Sequence, residues 1–198
     1  MKKTIFFILV IGLAIPGLVK AQSGYTSFQY VMGFGVGDLG DFISKASFRG
    51  ATFDYQKEFS PKTSMGLELG WSTFYEKMEY GTYTVEPYSL SGIQYRYSNM
   101  FPMLATAEYY LISDAAVKPY INLGIGTMYT IRNTDMGTWT LEEKAWQFAL
   151  KPEIGLIYDL GGNADLKLEA KYYTGIKTSK LETQSFFAIS TGLVFFIY

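Results

Sequence analysis

The sequence predicts an all-β fold, an eight-stranded antiparallel up-and-down transmembrane β-barrel. Three observations carry this. Segment after segment alternates apolar and polar residues with a period of two. No stretch after the first twenty or so residues holds the ~18 consecutive apolar residues of a spanning helix. The connections between the alternating segments are short and long by turns. Period two marks a strand, whose successive side chains point to opposite faces. An apolar chain without a spanning helix can still enter lipid by closing a sheet, so that every backbone group is paired.

Five segments alternate cleanly. Ala145 to Leu160 sets Trp146, Phe148, Leu150, Pro152, Ile154, Leu156, Tyr158 and Leu160 against Gln147, Lys151, Glu153, Gly155 and Asp159. Pro152 cannot donate to a ladder and is expected to mark a bulge. Lys118 to Arg132 sets Ile121, Leu123, Ile125, Tyr129 and Ile131 against Asn122, Gly124, Gly126 and Thr130. Asp165 to Thr174, Ser64 to Glu76 and Phe28 to Gly37 repeat the pattern. Three further segments are less regular: Ser47 to Phe59, where Arg49 and Lys57 fall in the apolar register; Ile93 to Leu111, which alternates over its later half; and Gln184 to Tyr198, apolar on both faces, whose facing stays open.

Ser60-Pro61-Lys62, Ser113-Asp114-Ala115-Ala116 and Gly161-Gly162-Asn163-Ala164 suit tight reversals. Longer links fall near Asp38–Lys45, Lys77–Gly92, Asn133–Glu142 and Gly175–Thr183. Short periplasmic turns opposite longer extracellular loops are what an outer-membrane barrel requires, and an even strand count returns both termini to the periplasm.

The first residues predict a secretory leader over residues 1–21: Met1-Lys2-Lys3, an apolar run from Ile5 to Ile15, and Val19-Lys20-Ala21 before a cut. The expected mature domain is residues 22–198. The chain has 17 basic residues, and taking away the leader's three lysines leaves 14 against 18 acidic ones. That balance offers no basic patch for nucleic acid. Aromatics and charged residues each make up 18% of the chain, and the latter figure is below the ~25% usual for soluble domains.

The polar face is rich in glycine and mixed charge, as a narrow interior needs, while Tyr25, Phe59, Tyr75, Trp146, Tyr158 and Tyr198 recur near strand ends like interfacial girdles. The ending Val194-Phe195-Phe196-Ile197-Tyr198 resembles the C-terminal strand signal of outer-membrane barrels, with Val194, Phe196 and Tyr198 matching and Gly192 and Ser190 weaker. With the leader and the eight segments, the chain resembles the small OmpA/OmpX/OmpW-like outer-membrane β-barrel superfamily over essentially the whole mature sequence. That resemblance implies an integral place in the outer membrane of a Gram-negative cell, among outer-membrane lipid and lipopolysaccharide. It also implies insertion by the barrel-assembly machinery with periplasmic chaperones.

The chain has no cysteine and no histidine. Disulfides, cysteine zinc sites and thiol nucleophiles are excluded, as are Ser-His-Asp arrangements and histidine metal sites. No cofactor is expected, and the chain is not expected to be an enzyme; the lipid-modifying barrel enzymes typically rely on a histidine. Gly35-Val36-Gly37-Asp38-Leu39-Gly40 fits G-x-G-x-x-G. A dinucleotide fold also needs a helix opening at those glycines and a parallel sheet behind it, so these glycines are read as a lumen face entering the first loop.

Asp54, Glu68, Glu108, Glu153 and Glu169 are placed to face Arg96, Lys151, Lys167 and Lys171 across the interior. Either they line an ion path or they fill the lumen as interlocking pairs. An eight-stranded barrel is just wide enough to be filled, and buried charges must be paired, so the plug is the favoured reading. The strands between Trp71 and Leu111 exceed membrane length, and a projecting ribbon with Tyr80, Tyr83, Tyr88, Tyr95 and Tyr97 is a candidate surface for an extracellular partner. The expected role is structural or surface interaction; the alternative is a narrow porin-like channel for small or apolar solutes.

Overall fold

A computed structural model describes residues 24–85, 88–137 and 139–197. The predicted leader, Glu86 and Tyr198 lie outside the described residues. Eight strands close a ring: β1 (Gly24–Val36), β2 (Gly50–Ser60), β3 (Thr63–Lys77), β6 (Tyr95–Tyr110), β7 (Val117–Met136), β8 (Trp139–Tyr158), β9 (Asp165–Gly175) and β10 (Gln184–Ile197). Two more, β4 (Gly81–Val85) and β5 (Tyr88–Gly92), form a separate hairpin, and one helical turn, α1 (Asp38–Phe42), follows β1.

Around the barrel the order is β1-β10-β9-β8-β7-β6-β3-β2, every neighbour antiparallel, with the hairpin inserted between β3 and β6. β1 meets β10 at the seam, Gly24 opposite Ile197 and Val36 opposite Ser185. The eight-stranded antiparallel barrel is therefore the observed fold.

Two local expectations are corrected. Pro152 marks no bulge: it lies opposite Leu123 in an unbroken β7–β8 register, and β8–β9 pairing resumes at Glu153 without a shift. A missing N–H removes one ladder bond without adding a residue, so the register is kept. The link predicted at Asn133–Glu142 is mostly strand. β7 and β8 each run 20 residues and pair as far as Met136 opposite Trp139, reversing at Gly137, whose φ of 63° suits a residue without Cβ.

β8 rises well past β9, with which it pairs only as far as Ala149 opposite Gly175, whereas β6 follows β7 up to Tyr95 opposite Asp135. The barrel is thus tall along β3, β6, β7 and β8 and low along β9, β10, β1 and β2. Outward positions are apolar and exposed: Met65, Leu67, Leu69 and Trp71 on β3, Ile121, Leu123 and Ile125 on β7, Trp146, Phe148, Ile154 and Tyr158 on β8. Facing on β10 resolves with Phe187, Ile189, Leu193, Phe195 and Ile197 outward.

Candidate functional site

The inward registers of the barrel strands combine into layers from short-turn end to loop end. On β6 the inward register reads Tyr110, Glu108, Thr106, Leu104, then Met100; on β9 Lys167, Glu169, Lys171, then Tyr173; on β8 Ile157, Glu153, Lys151, then Ala149. Stacked around the ring, these positions give an apolar layer at the turn end (Tyr25, Tyr110, Tyr120, Ile157, Val194), a charged middle, and a second apolar layer above. The upper layer joins Val31, Phe74, Met100, Leu104, Met128, Tyr173 and Phe186 to Leu39 and Ile43 of the first loop.

The middle layer is an alternating chain of ions. Glu153 pairs with Lys151, which pairs with Glu68. Glu68 lies 3.3 Å from Lys171, which lies 2.7 Å from Glu169. Glu169 lies 2.8 Å from Lys167, which reaches Asp54 at 3.0 Å and Glu108 at 3.6 Å. All eight side chains are 3% exposed or less.

Five carboxylates outnumber three ammonium groups, and neutral donors add to their coordination, although Asp54 Oδ1 is buried with no hydrogen-bond partner among the described residues. Tyr25 donates to Glu108 at 2.7 Å, Tyr120 to Glu169 at 2.6 Å, Tyr173 to Glu68 at 2.7 Å, Ser190 to Glu169 at 2.7 Å and Gln29 to Asp54 at 2.6 Å. Lys167 also sits 5.2 Å and 5.3 Å from the ring centroids of Tyr25 and Tyr120, a cation–π contact that strengthens where water is excluded. Each ion is held by partners on several strands, as a charge taken out of water demands.

Arg96 does not belong to this chain, contrary to expectation. It stands opposite Glu76 high on β6, donates to the Phe42 carbonyl at 2.9 Å and to Gln94 at 2.7 Å, and lies 5.0 Å from the Phe42 ring. The reason is height, since β6 is long enough to carry Arg96 past the charged layer. Arg132 takes a second position over that ring, at 4.2 Å, while paired to Glu143 at 2.8 Å. Phe42, at the end of α1, is thus clamped by two guanidinium groups, and α1 lies across the loop end of the lumen.

Other predicted positions also move. Tyr25, expected in a girdle, is fully buried in the turn-end layer. Val194 is buried beside it, and Phe196 packs edge-on to Tyr25, centroids 6.1 Å apart. Of the three matching residues of the terminal motif, the two that are described, Val194 and Phe196, therefore face the lumen. Phe59, Trp146 and Tyr158 are exposed on the outer wall.

Of the tyrosine ribbon, Tyr95 and Tyr97 are half-buried on β6. Tyr97 meets Tyr75 at 4.9 Å, and Lys77 lies 5.8 Å from the Tyr95 ring. Tyr80 is 74% exposed, Tyr83 donates to the Glu79 carbonyl, and Tyr88 opens β5. The upper apolar layer was missed by sequence reading, although Leu104 and Met100 share the parity of Glu108 and so carried the signal.

No protein-family model and no curated protein matches the sequence. Solved structures do match in fold. Neisserial surface protein A aligns over 89% of this chain and 97% of its own with a TM-score of 0.52 and 13% identity. The outer membrane protein OprG of Pseudomonas aeruginosa aligns over 89% and 94%, TM-score 0.53, 13% identity. The outer membrane protease OmpT of Escherichia coli aligns over 89% and 95%, TM-score 0.51, 11% identity. The fold is that of the small outer-membrane β-barrels.

Proposed function

We propose that this chain is an integral barrel of the Gram-negative outer membrane, without catalytic activity, whose lumen is a packed structural core and whose loop-end ribbon is a surface for interaction. The observation that carries the reading is the alternating ion chain, enclosed between two apolar layers with α1 across the loop end. A water-filled path would separate these ions and hydrate them singly. Here each one touches a partner of opposite charge.

The outer wall supports the membrane. Along β8 the outward residues from Trp146 to Tyr158 are Trp, Phe, Leu, Pro, Ile, Leu and Tyr, a band with aromatic ends, close to the apolar belt of about 25 Å between aromatic girdles in such barrels. Insertion by the barrel-assembly machinery rests on the resemblance of Val194, Phe196 and Tyr198 to the C-terminal strand signal. The absence of histidine and cysteine supports the non-catalytic reading.

Planar-bilayer recording tests the lumen. Purified protein is expected to insert without steady single-channel conductance, and proteoliposomes are expected not to swell in small sugars. Steady, sizeable conductance would replace the packed core with the narrow porin-like channel. Deletion of Lys77–Gly92 is expected to remove any surface-binding phenotype while leaving the barrel folded.

A further inference from the structure

At the tall side of the barrel a cleft of about 420 Å³ opens between the upper edge of β8 and the loop joining β9 to β10, lined by Tyr129, Lys144, Trp146, Thr178 and Lys180. From this cleft we infer a binding site for the phosphate-bearing headgroup of a net anionic lipid in the leaflet around the loop end. The inference rests on the membrane reading above and names one partner of the outer wall.

The floor is aromatic. Trp146 and Tyr129 lie opposite one another across β7 and β8, centroids 4.8 Å apart and planes at 34°. Lys144 is the next outward residue beyond Trp146, one pleat past the aromatic end of the apolar band. A side chain there lies at the depth of lipid headgroups, and the stem of a lysine can rest on the wall while its ammonium reaches the phosphates.

The second cation is held in place by its loop. Thr178 accepts from the backbone N–H groups of Lys180 and Leu181 at 3.3 Å and 3.2 Å, and its own N–H donates to the Leu181 carbonyl at 2.9 Å. Leu181 is buried, and Gln147 ties the loop to β8 through the Gly175, Ile176 and Glu182 carbonyls at 3.3, 3.3 and 3.0 Å. This anchored turn leaves Lys180 projecting beside Lys144.

The neighbouring charges leave the cleft positive. Glu142 pairs with Lys144 at 2.7 Å and holds that ammonium above the ordinary lysine range, Glu143 is engaged by Arg132, and Lys177 pairs with Glu182 at 2.7 Å. Among the described residues around the cleft, Lys180 is the cation left over for a phosphate. Continuity with the lipid-facing wall favours a membrane lipid over a soluble anion.

The test uses the full mature chain carrying Trp71→Phe and Trp139→Phe, so that Trp146 is the sole tryptophan. The protein is reconstituted in phosphatidylcholine vesicles containing equal shares of brominated phosphatidylcholine or brominated phosphatidylglycerol. Brominated phosphatidylglycerol is expected to quench Trp146 as though enriched roughly fivefold at the site, the scale of one lysine left over beside a phosphate. Lys144→Gln with Lys180→Gln is expected to abolish the enrichment, and raised salt to weaken it. Equal quenching by both lipids overturns the site and leaves the membrane reading standing. So does enrichment that survives the double substitution. Displacement by low inorganic phosphate overturns the lipid assignment, and no quenching by either lipid overturns the membrane reading itself.

Discussion

Tyr173 lies nearly flat on Phe186, centroids 4.6 Å apart and planes 14° from parallel, while its hydroxyl donates to Glu68 at 2.7 Å. One side chain therefore joins the upper apolar layer to the ion chain beneath. Tyr173→Phe keeps the stack and leaves a buried Glu68 oxygen without that donor. It is expected to cost about 1–3 kcal/mol, read as a lower urea midpoint for unfolding from lipid vesicles, with the same strand content by circular dichroism.

Lys171 bridges Glu68 and Glu169 near the middle of the chain of ions. Lys171→Met leaves Glu68 with Lys151 and Glu169 with Lys167 as their remaining cations, and widens the excess of carboxylates in a dry interior. The expected loss is about 3–5 kcal/mol, the range for breaking a buried pair from one side. Lys171→Met with Glu169→Met should lose less than the sum of the two single changes, because the second removes a charge whose compensation the first has reduced. Simple additivity in urea titrations of all three variants would count against a coupled network.

Gly155 leaves the space that the Tyr120 ring and hydroxyl occupy, and a methyl group there would collide with both. Tyr120 in turn donates to Glu169 and Glu153. Gly155→Ala is expected to destabilise by about 1–3 kcal/mol, as overpacking does. Heat-modifiable migration on gels, which separates folded from unfolded barrel, should show the folded band disappearing at a lower temperature.

Arg96→Ala removes the hydrogen bond to the Phe42 carbonyl and one face of the clamp on its ring. Hydrogen exchange over residues 37–43 should quicken while the barrel strands keep their protection. Conductance should stay absent, because the ion chain still fills the lumen below. Arg96→Lys should rescue poorly, since an ammonium lacks the planar fork of guanidinium.

Most of the wall was legible in the sequence because period two is a local property, and on β3, β7, β8 and β9 it was regular enough to assign faces. β10 was not, because its inward face carries Val194 and Phe196 at the turn end and Ala188 and Phe186 above, with no charge between them, so both its faces read as apolar. The ion chain was largely visible as parity: Asp54, Glu68, Glu108, Lys151, Glu153, Lys167, Glu169 and Lys171 all fall on inward positions. Arg96 also has inward parity yet sits higher, and height along a strand depends on strand length and stagger, which alternation does not encode. The capping role of α1 was hidden for a similar reason. Leu39, Phe42 and Ile43 look like scattered apolar residues in a loop until the ring below supplies the surface they cover.

The seam between Gly24 and Ile197 joins the two ends of the described chain, so the ring cannot close until the last strand is delivered. Asp54 and Lys167, more than a hundred residues apart in sequence, stand on opposite sides of that seam, on β2 and β9. Before closure the lysines and carboxylates of the half-built sheet face open water and carry full hydration shells. Docking of β10 against β1 strips those shells in one event and replaces them with one another. Drying of the lumen and completion of the wall are therefore expected to be one step, and a variant that weakens the ion chain should populate an open, wet sheet rather than a closed barrel with a hollow centre.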